Sequence, residues 1–192
     1  MDILDQALQA TMCELHSGEH FDIKNPVFDI QDISYALSNL CRFNGHCSEF
    51  YSVAEHSVLV AWLLSEWDQS PEVIMQGLMH DATEAYLSDV PAPFKQLLPD
   101  WRALDEDLEE KLWKHFNLGE KSPMVKKADW YAVFIEANQL LPSKGEWFND
   151  PMDVRSDAIM IQPPCELGGN TRESVQATFL LNFDNIQRYI NE

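Results

Sequence analysis

Basic residues are scarce in this chain: 13 Lys and Arg stand against 32 Asp and Glu, a formal charge of −19 at pH 7. Such a surface repels polyanions, so non-specific binding to DNA, RNA or an acidic membrane is disfavoured. A small phosphorylated ligand survives that argument, because one divalent cation and an Arg or Lys reverse the potential inside a pocket. Long apolar runs are missing as well. No stretch of about 18 apolar residues occurs, so no membrane-spanning helix is expected. The opening stretch MDILDQALQATMCELHSGEH carries acids where a signal peptide has a basic region before an apolar run. A soluble, cytoplasmic protein is the expectation. Cysteine is limited to Cys13, Cys41, Cys47 and Cys165, with no C-x-x-C pair, which argues against a disulfide framework. A zinc knot from Cys41, His46 and Cys47 is the weaker reading beside reduced, mostly buried thiols.

What is present is enough apolar material, 45% of 192 residues, to build one domain over 1–192 around a single core. Helical periodicity dominates. Residues 2–15 alternate at helical spacing, and 20–30 reads as short extended pieces around the Asn25-Pro26 turn. A short helix follows at about 32–40. Ser52-Val53-Ala54-Glu55 is a capping box, opening a helix whose apolar face is Val53, Val60, Leu63, Leu64 and Trp67. Ser70-Pro71 opens another, expected through about 86, and Pro91 with Pro93 leaves 88–95 as a rigid loop. Asp100 and Ser122-Pro123 start two more, the latter reaching about 141. The stretch 142–170 holds four prolines and Gly168-Gly169, so it is expected to be irregular, partly mobile or a lid. Thr171 begins a last helix. The expected fold class is all-α, with at most a small hairpin near residue 25.

Chemistry concentrates in a few positions. His80-Asp81 sits in GLMHDATEAYL, among core residues, where two ionisable groups are costly unless a cation offsets their desolvation. His56 lies within the apolar run of the preceding helix, and Asp129 within the helix from about 123. Three inward-facing helices would deliver two imidazoles and two carboxylates to one point. That set suits Mn²⁺, Fe²⁺, Co²⁺, Ni²⁺ or Zn²⁺, with Mg²⁺ also allowed, rather than Ca²⁺. Glu84 is four residues after His80, on the same expected helix face, placed to position or deprotonate an attacking water. Arg42, the sole Arg among the first 100 residues, is the best anion anchor. His46 and Tyr51 are candidates to line the pocket, and Lys95 to bind phosphate. His16, His20 and His115 have no partner spacing and read as surface residues. Trp62, Trp67 and Trp130 read as core filler.

The order His56…His80-Asp81…Asp129, carried by YSVAEHSVLVA, LMHDATEAYLSDVPAPFK and KKADW, resembles the HD-domain phosphohydrolase superfamily over roughly residues 34–135. It is most similar to bacterial and phage hydrolases of the 5′-deoxynucleotidase type. The resemblance implies a helical bundle with a core of about five helices and one divalent metal on His56, His80, Asp81 and Asp129. It implies catalytic roles for Glu84 and Asp81, a sugar contact from Asp89, and phosphate contact with rejection of a ribose 2′-hydroxyl by Arg42-Phe43. The relatives carry Trp where this chain has Phe43. The implied reaction is hydrolysis of (deoxy)nucleoside 5′-monophosphates to nucleoside and phosphate, with no polymeric nucleic acid as partner and a homodimer as the implied assembly. The rivals are a nucleoside triphosphate hydrolase and a non-catalytic metal- or nucleotide-binding module. The extra ligands of dinuclear oxygenases and the second acid of alarmone hydrolases are absent from HDATEA and its surroundings.

Overall fold

The computed structural model of the protein describes residues 12–146 and 148–192. The helix expected over 2–15 falls largely outside them, and its last residues, Met12–Glu14, form a strand, β1. β1 pairs antiparallel with β2, His20–Asp22, in the register Cys13 to Phe21. The hairpin thus turns at 15–19, ahead of the expected place; the Asn25 turn follows it, closed by the Asn25 amide on the Asp22 carbonyl. The remaining regular structure is helical, an all-α architecture with one small hairpin.

The helices are α1 (Ile30–Asn39), α2 (Val53–Glu66), α3 (Pro71–Met79), α4 (Glu84–Leu87), α5 (Ala92–Lys95), α6 (Pro99–His115), α7 (Pro123–Leu140), α8 (Arg155–Ala158) and α9 (Arg172–Asn191). Helix α2 begins as its sequence requires. The Ser52 hydroxyl accepts from the Glu55 amide, and Glu55 accepts from the Ser52 amide and hydroxyl. It then packs on α3, α7, α9 and α1 at once. A helix enclosed on several sides loses any polar face. Nine of its fourteen residues are buried, where periodicity alone suggests one apolar stripe.

Two apolar cores meet on α2. One gathers Ile33, Leu37, Val53, Leu78, Met79, Leu108, Leu112 and Phe179; the other gathers Leu59, Val60, Leu63, Leu64, Ala132, Phe134 and Ile135. Gly77 lets α3 approach closely, since a Cβ there would collide with Leu64 Cδ1. Trp62, Trp67 and Trp130 flank the second core and are only half-buried. No helix among the described residues is long and apolar enough to cross a membrane.

Two expectations are corrected and a third is filled in. The helix from 71 stops at Met79, and residues 80–83 form tight turns in which amides bond three residues back: Ala82 to Met79 and Glu84 to Asp81. The proline-bounded stretch is not wholly a loop, because Ala92–Lys95 closes one helical turn after Pro91. The segment 142–170 is irregular, as expected, apart from the single turn α8. Asp150 caps the amides of Val154 and Arg155, Val154 and Ala158 are buried, and the Gly169 amide bonds the Phe50 carbonyl.

Removal of the cap isolates its contribution. Ser52→Ala deletes an acceptor for the Glu55 amide and a donor to its carboxylate, so a loss of about 1 kcal/mol is expected. Urea unfolding checks it; an unchanged midpoint would show that α2 is held by packing alone.

Candidate metal centre

Each residue of the centre is delivered by a different local device. His56 is fully buried in the first turns of α2. His80 caps α3, and its Nδ1 lies 2.8 Å from the Gly77 carbonyl, the oxygen a continuing helix would offer to the Asp81 amide. The chain tightens there, which turns Asp81 inward beside the His80 ring. Asp129 stands in the second turn of α7. Arg42 reaches the same point from the turn after α1. An antiparallel bridge between Cys41 and Ser52, with the Arg42 amide on the Tyr51 carbonyl, clips that loop to the start of α2.

The donor atoms converge. Nε2 of His56 lies 3.2 Å from Nε2 of His80, 3.2 Å from Oδ1 of Asp129 and 3.5 Å from Oδ2 of Asp81. Nε2 of His80 lies 3.3 Å from Asp81 Oδ2 and 3.9 Å from Asp129 Oδ1. Ligands bound at about 2.1 Å are separated by about 3.0 to 3.4 Å in octahedral or tetrahedral shells, so these spacings suit one ion. His56, His80 and Asp129 form a group able to hold a metal, all their donor atoms lying within 4.8 Å of one another. Asp81 flanks that triad on the side of Arg42, whose Nη1 is 3.5 Å from its Oδ2.

The second nitrogen of each imidazole is already committed. Nδ1 of His56 is 2.6 Å from Glu136 Oε1, and Nδ1 of His80 points at a carbonyl. Both acceptors require a proton on Nδ1, which leaves the two Nε2 atoms facing each other and the carboxylates. A metal-bound histidine is held in the same way. The donor set therefore fits a divalent transition ion.

Sequence reasoning missed Glu136. It is fully buried on α7, seven residues after Asp129, and accepts from His56, from the Tyr51 hydroxyl at 3.0 Å and from Arg42 Nε at 3.3 Å. The available signal was an acid in the apolar run VFIEANQL, two turns along from Asp129. Tyr51 is likewise buried against Glu136 and does not line an open pocket.

Other expected residues land elsewhere. Glu84 follows Asp81 by three residues through tight turns in which such positions eclipse, so it stays on the side of Asp81 and is rotated by about 120° from His80. Its Oε1 takes Lys95 Nζ at 3.0 Å, and its Oε2 is buried without a partner among the described residues. Lys95 is therefore an ion-pair partner of Glu84 and stacks over Trp101. Asp89 is half-buried and within electrostatic range of Arg42 and Lys95. Phe43, at φ 51°, stacks on Phe148 beside the Arg42 guanidinium. His46 is exposed and makes no side-chain hydrogen bond among the described residues. Cys41, His46 and Cys47 do not form a metal group among those residues either. Nor are the thiols mostly buried: Cys13 and Cys165 are exposed, and the other two half-buried. His16, His20 and His115 are exposed, His16 stacking on Tyr35. A groove of about 130 Å³ between α2, α9 and 163–170 is lined by Val58, Trp62, Pro164 and Leu167, away from the candidate metal centre.

Charge is opposed by burial at every group here, and the partners decide the outcome. Burial and Arg42 work against the His56 cation, but Glu136 and Asp129 outweigh them and push its pKa up to about 10. Burial would raise Asp81, yet His80, His56 and Arg42 hold it far below the carboxylate range. Asp129 and Glu136 are also lowered against burial, by His56 and by Arg42 with His56 respectively. Glu84 goes the other way: burial, then Asp81 and Asp89, raise it well above an ordinary glutamate.

These shifts set a pH dependence. His56 has a folded pKa above its ordinary 6.5, so its stabilising contribution is complete below that value and disappears as pH rises through about 10. Asp81, Asp129 and Glu136 contribute above the carboxylate range and lose that contribution only in acid. Metal-free protein in EDTA is expected to lose urea resistance between about pH 7 and pH 10. A midpoint that stays level would refute the His56 assignment, and His56→Gln should flatten the slope.

No protein-family model matches the chain. It is similar to an Escherichia coli (strain K12) protein, the uncharacterised YfdR, at 42% identity over 128 residues, which is 65% of this chain and 69% of YfdR.

Proposed function

The chain belongs to the same family as YfdR, and we propose that it is a metal-dependent phosphohydrolase of the HD type acting on nucleotides. The preferred substrates are (deoxy)nucleoside 5′-monophosphates, cleaved to nucleoside and phosphate. One observation carries this reading: the Nε2 atoms of His56 and His80 and the carboxylates of Asp129 and Asp81 face a common point beside Arg42. A bound divalent cation supplies Lewis acidity for a phosphoryl oxygen and for water.

The chain's own residues supply the rest. The locality holds five carboxyls, on Asp81, Asp129, Glu136, Asp89 and Glu84, against Arg42 and Lys95. An anion approaches such a centre only where a cation compensates the excess, which ties phosphate binding to metal binding. Arg42 binds the phosphate through its Nη groups, because its Nε is engaged by Glu136. Glu84 takes the proton of the attacking water. Its Oε2, without a partner among the described residues, and its raised pKa suit a group that must accept and return a proton. Asp89 faces the sugar, and Phe43 with Phe148 forms the apolar rim beside Arg42.

The reading predicts phosphate release from a panel of mono- and triphosphates with Mn²⁺, Co²⁺ or Mg²⁺. Asp81→Ala should abolish release without loss of helicity by circular dichroism, and Glu84→Gln should lower turnover by about 100-fold or more. An undiminished rate after EDTA treatment would sink the proposal. Tight nucleotide binding without turnover over all three metals would leave a binding module instead.

A further inference from the structure

We propose that Glu136 is a positioning residue that ties the metal site to the phosphate site, holding His56 and Arg42 on opposite oxygens of one buried carboxylate. The inference rests on the metal-dependent reading above and adds to it a coupling between the two subsites. Oε1 accepts from His56 Nδ1 at 2.6 Å and from the Tyr51 hydroxyl at 3.0 Å, and Oε2 accepts from Arg42 Nε at 3.3 Å. Glu136 and Tyr51 are buried and Arg42 nearly so, so water cannot substitute for a lost partner.

The chemistry of the group explains why it must be a carboxylate. Three donors arrive on two oxygens. An amide offers one acceptor oxygen and one NH₂, so it sets a donor against the Arg42 Nε–H or against the His56 Nδ1–H, while the Tyr51 hydroxyl can turn to accept. A turned His56 ring no longer aims Nε2 at Asp129 and His80. A displaced Arg42 no longer presents its Nη groups beside Asp81. One side chain thereby orients a metal ligand and the anion anchor together, although it is itself placed to touch neither ion. A purely structural role would move stability without moving the two affinities in concert.

The test is calorimetric titration of full-length protein with Mn²⁺ alone, and then of Mn²⁺-saturated protein with inorganic phosphate. Glu136→Gln is expected to weaken Mn²⁺ about 10- to 100-fold. At saturating Mn²⁺ it should also weaken phosphate several-fold, with circular dichroism unchanged. Unchanged Mn²⁺ affinity in a folded Glu136→Gln protein overturns the proposal, as does a metal defect with normal phosphate affinity once metal is saturating. Should that variant fail to fold, the Zn²⁺-loaded native protein decides. A ¹⁵N-bonded proton on His56 Nδ1, strongly deshielded and slow to exchange, is expected, and its absence overturns the assignment. Native protein that takes up no Mn²⁺ defeats the metal reading itself. Native Mn²⁺ binding that is indifferent to Glu136→Gln defeats only the coupling.

Discussion

The carboxylate of Glu136 carries its charge where no water reaches it, and a charge so placed is tolerated only when donors surround it. Tyr51, His56 and Arg42 are those donors, drawn from the turn after α1, the residue before the capping box and the first turns of α2. Removing one member of such a buried set typically costs about 3–5 kcal/mol, because the remaining charge is left uncompensated. The loop 41–52, the start of α2 and the middle of α7 are thereby held to one another by electrostatics as well as by apolar packing. The candidate metal centre sits on the other side of the same histidine ring.

Packing makes that arrangement stiff. Helix α2 is the wall shared by two apolar cores, with Val53 and Ala54 in one and Leu59, Val60, Leu63 and Leu64 in the other. A ring embedded in such an element has little freedom to rotate, since neighbouring side chains fill the space at close to crystal density. His80 is constrained differently, by the carbonyl of Gly77 on the very helix it terminates. The absence of a Cβ at Gly77 is what lets α3 lie close enough to α2 for the two rings to meet. Preorganised donors of this kind make a site specific for an ion of one size, because little reorganisation accompanies binding.

Charge distribution follows the same logic at longer range. A chain with 32 acids and 13 bases repels anions as a whole, yet two cations, Arg42 and Lys95, are placed next to its most acidic interior cluster. Lys95 is spent on Glu84, and Arg42 is shared between Glu136 and Asp81. Neither is a freely offered positive patch of the kind that binds nucleic acid.

The all-α architecture, the capping box of Ser52 and Glu55, and the meeting of His56, His80 and Asp129 in a group able to hold a metal were legible from the sequence. Caps and periodic apolar positions act over three or four residues, and His56, His80, Asp81 and Asp129 stand out as costly groups in apolar runs. Three things depended on tertiary structure. The end of α3 at Met79 comes from His80 folding back on Gly77, a contact with no periodic signature, and it turns Glu84 away from His80 while leaving it on the side of Asp81. Lys95 pairs with Glu84 only because α5 closes one turn after Pro91. Glu136 joins His56 across 80 positions of chain, and no local pattern announces a partner that distant. Sequence by itself determines which groups are too polar for their surroundings; only the packed chain decides which of them meet, because that is set by where helices stop and how closely their axes approach.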